Sequence, residues 1–217
     1  MSNAMLTATW PAPPNIVAGT TLRNGGEADL PATPQQLNQV HGTRSVLLGS
    51  ADFADGTPDA DAVIGTQAGD ICVVQTADCL PVLLCAFDGQ EIAAVHAGWR
   101  GLAGGVIEAT VARMTSAVSD LIVWLGPAIS QPAFEVGDEV RQQFRPWSDD
   151  NNGLFVANDR GRWQADLFGL ASARLEKMGI RAIYGERLCT HDDPDRFFSY
   201  RRDGKTGRLL SFVYRRT

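Results

Sequence analysis

The chain has 217 residues, 44% of them hydrophobic, and a formal net charge of −6. That size carries a sizeable core as one soluble domain, and the acidic balance argues against a nucleic-acid partner. No apolar run approaches the roughly 18 residues of a membrane span, and four scattered cysteines are too few for a disulfide framework, so the expected setting is the reducing cytoplasm.

Residues 1–4 (Met-Ser-Asn-Ala) read as an expression scar, with a single domain over 5–217. The prolines of residues 10–14 make an extended lead-in. Residues 15–22 read as a first strand, and 23–34, with paired glycines and two prolines, as loop. Residues 36–40 predict a short strand running into His41, with 45–48 as its partner. An acidic loop spans 52–61. Three apolar, β-rich runs follow at 62–65, 71–76 and 81–87. Asp88-Gly89 signals a hairpin into 91–96. These runs are nearly continuous in hydrophobicity, which predicts a sheet covered on both faces.

Residues 105–118 carry apolar groups at helical spacing. Residues 121–125 (Leu-Ile-Val-Trp-Leu) read as another buried strand, 137–144 as helix and 148–153 as a polar loop. A helix is predicted over 166–178, with Asp166 as N-cap and Gly179 at C′. Residues 180–184 and 211–214 read as the last strands. Strands outnumber helices and several are hairpin-linked, so the expected class is α+β with mixed sheets rather than strict βαβ alternation.

Candidate chemistry concentrates at strand ends. Of three histidines, His41 and His96 each sit where a predicted strand breaks into a glycine turn. Cys79 lies in Ala77-Asp78-Cys79-Leu80-Pro81, a turn between two strands. Taken alone, each has a plain structural reading, and Cys72 and Cys85 read as small core hydrophobes. There is no C-x-x-C and no H-E-x-x-H. Taken together, imidazole, thiolate and imidazole at three strand ends suit zinc with an open fourth position.

Five segments, NQVHGT (38–43), TADCLPVLL (76–84), AAVHAGWRGLAGGV (93–106), GPAISQPAFEVGDEV (126–140) and CTHDDPDRFFSYRRDGKTGR (189–208), resemble the YfiH family. It is also called the laccase-domain or multicopper polyphenol oxidase family, and the peptidoglycan editing factor family. The resemblance runs over nearly the whole chain after Trp10. It implies an α/β/β/α layered sandwich related to cysteine hydrolases of the deamidase-toxin type, and a zinc site on His41, Cys79 and His96. It also implies purine chemistry: phosphorolysis of adenosine, guanosine, inosine and methylthioadenosine, and deamination of adenosine. A second implied activity is hydrolysis of a wrongly added amino acid from a nucleotide-linked peptidoglycan precursor. This chain departs from the family in a shorter stretch between its first strand and NQVHG, and in His191, where the family pattern has tyrosine; His191 reads as an exposed loop residue.

The residues can be weighed against each chemistry. Three histidines cannot build the blue and three-copper sites of a multicopper oxidase, so Cu2+ is expected only as an adventitious occupant. Deamination needs an activated water and a proton shuttle, for which Asp78 is nearest in sequence, a turn-capping role being its alternative. Phosphorolysis needs an anion site, for which Arg44 and Arg100 stand near the two histidines. Gln39 shares a face with His41 if both lie on a strand, and would then read a base edge. Arg196, Arg201 and Arg202 form a basic run, most simply a solvated loop. A competing mechanism makes Cys79 a nucleophile with His96 as its base. A third reading, a non-catalytic zinc module, needs Cys189 or His191 as a fourth ligand. The expected partners are a small nucleoside and phosphate, with a monomer as the default state.

Overall fold

The computed structural model describes residues 4–145 and 153–217; most of the polar loop expected at 148–153 lies outside them. In chain order the strands and helices begin with β1 (Met5–Thr7), β2 (Ile16–Thr21), β3 (Ser45–Leu47), β4 (Ala62–Gly65), β5 (Ile71–Thr76), β6 (Leu80–Ala86) and β7 (Ile92–Ala97). Next come α1 (Trp99–Gly104), α2 (Val106–Val111), β8 (Leu121–Leu125), β9 (Glu135–Val136) and α3 (Asp138–Phe144). The rest are β10 (Phe155–Ala157), β11 (Trp163–Ala165), α4 (Leu167–Met178), β12 (Ala182–Tyr184), α5 (Tyr200–Asp203) and β13 (Leu209–Arg215).

The fold is α+β with mixed sheets. A six-stranded sheet runs β12-β8-β6-β7-β4-β3, and a four-stranded sheet runs β1-β2-β13-β5. The two pack face to face. Strand alternation sorts the side chains of β6: Leu83 and Cys85 join Trp124, Val74 and Val213 between the sheets, while Val82 and Leu84 face the helices with Leu102, Ile107 and Leu170. This two-sided burial is why the sequence runs lack polar alternation. A fully buried Leu or Val of this kind contributes roughly 1.5–3 kcal/mol. The outer face of the four-stranded sheet, at Val73 and Phe212, is covered by Leu30 and Ala32. No helix among the described residues is long and apolar enough to cross a membrane.

β4, β5, β8 and α4 fall where the sequence places them, and Asp166 caps α4 through a hydrogen bond from the Gly169 amide. The Asp88-Gly89 turn joins β6 to β7 as an antiparallel hairpin. Three expectations are corrected. Residues 36–40 form no strand beyond one bridge, Asn38 to Asp59, and β3 pairs instead with β4, in parallel. The edge of β5 facing residues 36–40 is satisfied by a side chain: Gln39 Nε2 donates to the Gln75 carbonyl at 2.8 Å and its Oε1 accepts from the Gln75 amide at 2.7 Å. The helix expected over 105–118 is only the short α2, and α1 before it was not expected. Gly105, at φ 97°, ends α1 in a left-handed turn and starts α2. Helix does not extend to 118 because the Glu91 carboxylate takes the Thr115 and Ser116 amides at 3.0 Å. The small sheet β10-β11-β9 was not expected; its strands of two or three residues are too short to show a period.

A candidate metal centre of two histidines and a cysteine

His41, Cys79 and His96 converge, with one ligating atom from each lying within 4.8 Å of the others. His96 is the rigid member. It lies near the end of β7, is 3% exposed, and donates Nδ1–H to Asp61 Oδ1 at 2.8 Å. That leaves its Nε2 lone pair for the centre. His41 stands on a loop and has φ 60°, a conformation uncommon for a side-chain-bearing residue. Asp61 holds it there: the amides of Val40, His41 and Gly42 donate to the same carboxylate at 3.3, 2.9 and 2.6 Å. The His41 and His96 rings meet edge to face, with centroids 4.7 Å apart.

Cys79 sits between β5 and β6. The preceding residue, Asp78, has φ 95°, and its carboxylate accepts from Thr190 Oγ1 at 2.7 Å and the Arg201 amide at 2.6 Å. Those bonds lock the turn that aims Cys79. Its Sγ lies 3.8 Å from His41 Nε2. Gly98 closes the group: a Cβ there would stand 2.9 Å from His41 Cδ2 and 3.1 Å from Cys79 Sγ.

The electrostatics suit a charged cluster. Burial pushes the Cys79 thiol up, but hydrogen bonds from His41 and His96 and their charge outweigh it and bring it down to about 6. Burial pulls His96 down, yet the hydrogen bond to Asp61 and the neighbouring thiolate raise it to about 9. Burial likewise opposes the Asp61 charge, and His96 and the Gly42 amide hold its pKa below the ordinary value. Cys85 is pushed up to about 12 by burial alone, and Cys72 is also raised well above its usual value by burial. Both are inert core residues.

The three donors fit a metal ion. A tetrahedral ion with roughly 2.1 Å bonds to nitrogen and 2.3 Å to sulfur sets its donors about 3.5 Å apart, within small side-chain rotations of the observed spacing. The Asp61 carboxylate behind His96 is the outer support such histidine ligands commonly have. No fourth donor joins the group among the described residues. Cys189 accepts from Ser130 Oγ at 3.0 Å, and His191 pairs with Asp192 at 2.8 Å in a loop. The fourth protein ligand that a closed zinc module needs is therefore not in place among the described residues.

The centre opens into a cavity of about 540 Å3, whose walls include Trp99, Phe134, Tyr200, Arg100, Arg201 and Arg208. This is within the size range of small-molecule sites. Arg100 lies 4.3 Å over the Trp99 ring, and neither Arg100 nor Arg208 pairs with a carboxylate among the described residues. Arg201 reaches the Glu135 carbonyl at 3.0 Å.

Three expected roles do not match this arrangement. Arg44 does not line the cavity; it pairs with Asp52 at 2.7 Å and donates to the Asp59 carbonyl at 3.0 Å. Gln39 lines it, but both polar ends of its amide serve Gln75. Asp78 lines it too, yet its two oxygens hold Thr190 and Arg201, so the turn-capping alternative describes it. Of the basic run, Arg202 binds the carbonyls of Thr190, His191 and Phe197, Arg196 pairs with Asp193, and only Arg201 reaches the cavity. Sequence reasoning missed Asp61 and Arg208. Asp61 ends the acidic loop directly before an apolar strand, a weak local signal.

Residues 15–216 match the family described as multi-copper polyphenol oxidoreductase laccase. A purine nucleoside phosphorylase of Pseudomonas aeruginosa is 40% identical over 242 residues, covering 98% of each chain. The purine nucleoside phosphorylase YfiH of Escherichia coli K12 is 41% identical, over 93% of this chain and 82% of its own. Among solved structures, a Neisseria meningitidis protein of the DUF152 family superposes with a TM-score of 0.89 at 40% identity, covering 99% of this chain and 100% of that one. YlmD from Geobacillus stearothermophilus gives 0.87 at 28% identity, covering 100% and 98%. With matching sequence, fold and motif order, this chain belongs to the laccase-domain, or YfiH, family.

Proposed function

We propose that this chain is a zinc-dependent purine nucleoside phosphorylase that also deaminates adenosine. The observation that carries the reading is one cavity lined both by the His41-Cys79-His96 group and by Arg100 and Arg208, guanidinium groups that pair with no carboxylate among the described residues. The relatives named purine nucleoside phosphorylase support its phosphorylase part. Zinc held by the three residues supplies Lewis acidity and activates water for hydrolytic attack. Arg100 and Arg208 offer planar forks to phosphate oxygens. The Trp99, Phe134 and Tyr200 rings offer apolar faces to a purine. Phosphorolysis converts adenosine and phosphate into adenine and ribose 1-phosphate; deamination converts adenosine and water into inosine and ammonia. Copper(II) in the site is an adventitious occupant that competes well for such donors.

The test is to incubate purified protein with adenosine, with and without phosphate, and to resolve the products. Adenine and ribose 1-phosphate are expected only with phosphate, and inosine in both cases. Full activity after complete metal removal would sink the zinc reading. Within the same assay, Arg100→Ala is expected to raise the KM for phosphate about tenfold, the effect of losing one charge-assisted contact of about 1.5 kcal/mol. Arg44→Ala should leave it within twofold, because Arg44 is tied to Asp52 outside the cavity.

One observation favours a second reading, Cys79 as a metal-free nucleophile. Cys79, His96 and Asp61 stand in the order nucleophile, base and orienting carboxylate. The thiolate would attack an amide carbonyl, His96 would protonate the departing amine, and water would hydrolyse the thioester. A nucleotide-linked cell-wall precursor is the substrate class to try. Zinc would inhibit this hydrolysis, whereas it is required for the purine reactions.

A further inference from the structure

We propose that Asp61 is the positioning residue of this centre: one carboxylate sets the presentation of both histidine ligands, and through them the affinity and geometry of the bound ion. The inference rests on the metal reading above and concerns a residue that touches neither substrate nor ion.

Asp61 is wholly buried, and a buried carboxylate is retained only where its charge is matched. Its Oδ1 is shared by His96 Nδ1 at 2.8 Å and the His41 amide at 2.9 Å. Its Oδ2 takes the Gly42 amide at 2.6 Å and the Val40 amide at 3.3 Å. One side chain therefore fixes the ring of one ligand and the backbone of the other. Asp61 is itself fixed by the sheet: its amide donates to the Arg44 carbonyl at 2.9 Å, and its carbonyl accepts from the His96 amide at 2.7 Å. The next residue, Ala62, pairs with Val95 in the β4-β7 ladder. The chain thus ties His41, on a loop, to His96, on a strand, through a group held on the sheet's own register. Since His96 donates Nδ1–H, only Nε2 can bind an ion. Since the His41 loop hangs on the same oxygen, its left-handed turn loses its support when that oxygen goes.

The test measures zinc and cobalt(II) affinity by chelator competition for the wild type, Asp61→Asn and Thr110→Val. Thr110 lies on α2, where its buried hydroxyl bonds the Val106 carbonyl, so Thr110→Val controls for lost stability. Asparagine keeps the shape of Asp61 but has one acceptor oxygen for four donors. Metal affinity is expected to fall about 10–100-fold in Asp61→Asn, with a changed cobalt–thiolate absorption spectrum, and to stay unchanged in Thr110→Val. An Asp61→Asn affinity and spectrum equal to wild type would overturn the inference while leaving the metal reading intact. Wild-type protein that binds neither ion would overturn the metal reading itself. Should Asp61→Asn fail to fold, 15N-histidine NMR of the wild type decides. With only three histidines to assign, a protonated Nδ1 on His96 supports the inference, whether its Nε2 is protonated, free or metal-bound. The opposite tautomer refutes it, with or without metal.

Discussion

Cys79→Ala is expected to lose purine turnover by about a thousandfold or more and to bind zinc no better than background. The thiolate would be the anionic donor of the His-Cys-His group. Two neutral imidazoles and an open position retain a divalent ion poorly, because zinc prefers at least three protein donors. Losing the ion removes several kcal/mol of charge stabilisation from the reaction, and each 1.36 kcal/mol is tenfold in rate. The fold should survive. The turn around Cys79 is held by Asp78, through Thr190 and Arg201, and by the Ile129 amide on the Asp78 carbonyl, none of which needs the thiol. Metal-free Cys79→Ala should therefore melt within a few degrees of metal-free wild type. Zinc should raise the melting temperature of the wild type but not of the variant, since such a rise reflects binding to the folded state alone. A variant with intact turnover would contradict both the metal and the thiol readings.

Gly98→Ala should be nearly as damaging, although it adds one methyl group and removes nothing. Gly98 has φ −63° and ψ 157°, a conformation open to any residue, so the backbone does not require glycine there. The space does. The added Cβ would stand 2.9 Å from His41 Cδ2 and 3.1 Å from Cys79 Sγ, so two of the three converging side chains must move. Misplacement of about 1 Å at a reacting centre costs on the order of a hundredfold in rate, and that is the expected fall in kcat/KM. The stability cost of such overpacking is about 1–3 kcal/mol. Gly26→Ala, where an added Cβ meets nothing within 4 Å, should change neither quantity. Steady-state kinetics beside thermal melts separates the two effects; a wild-type rate in Gly98→Ala would show that the ligands do not hold the spacing described.

The sequence by itself determined the central strands and the identity of the three converging side chains. Residues 71–76 and 121–125 are apolar on both faces because they lie in sheets covered on both sides, so the run of β-branched residues was enough to place them. Cys79 and His96 were legible because glycine and proline mark the breaks beside β6 and β7, and His41 because it is a rare histidine before a glycine, although no strand leads into it. Asp166 and Gly179 marked α4 for an equally local reason, since caps act within one turn of the helix. What surrounds the three converging side chains was decided only by tertiary structure. Asp61 serves them because β4 pairs with β7 in the register that sets Ala62 against Val95, and no local pattern encodes that register. Asp78 turned out to be a strut because the segment carrying Thr190 and Arg201, more than a hundred positions away, returns to its carboxylate. The same return brings Arg201 and Arg208 to the cavity. Arg44 lies close in sequence to His41 but is drawn off by Asp52, and Gln39 by the edge of β5. Backbone periodicity and turn chemistry act over a few residues and can be read along the chain. The partner of a polar side chain is set by whichever distant segment packs beside it, and that is known only once the sheets have paired.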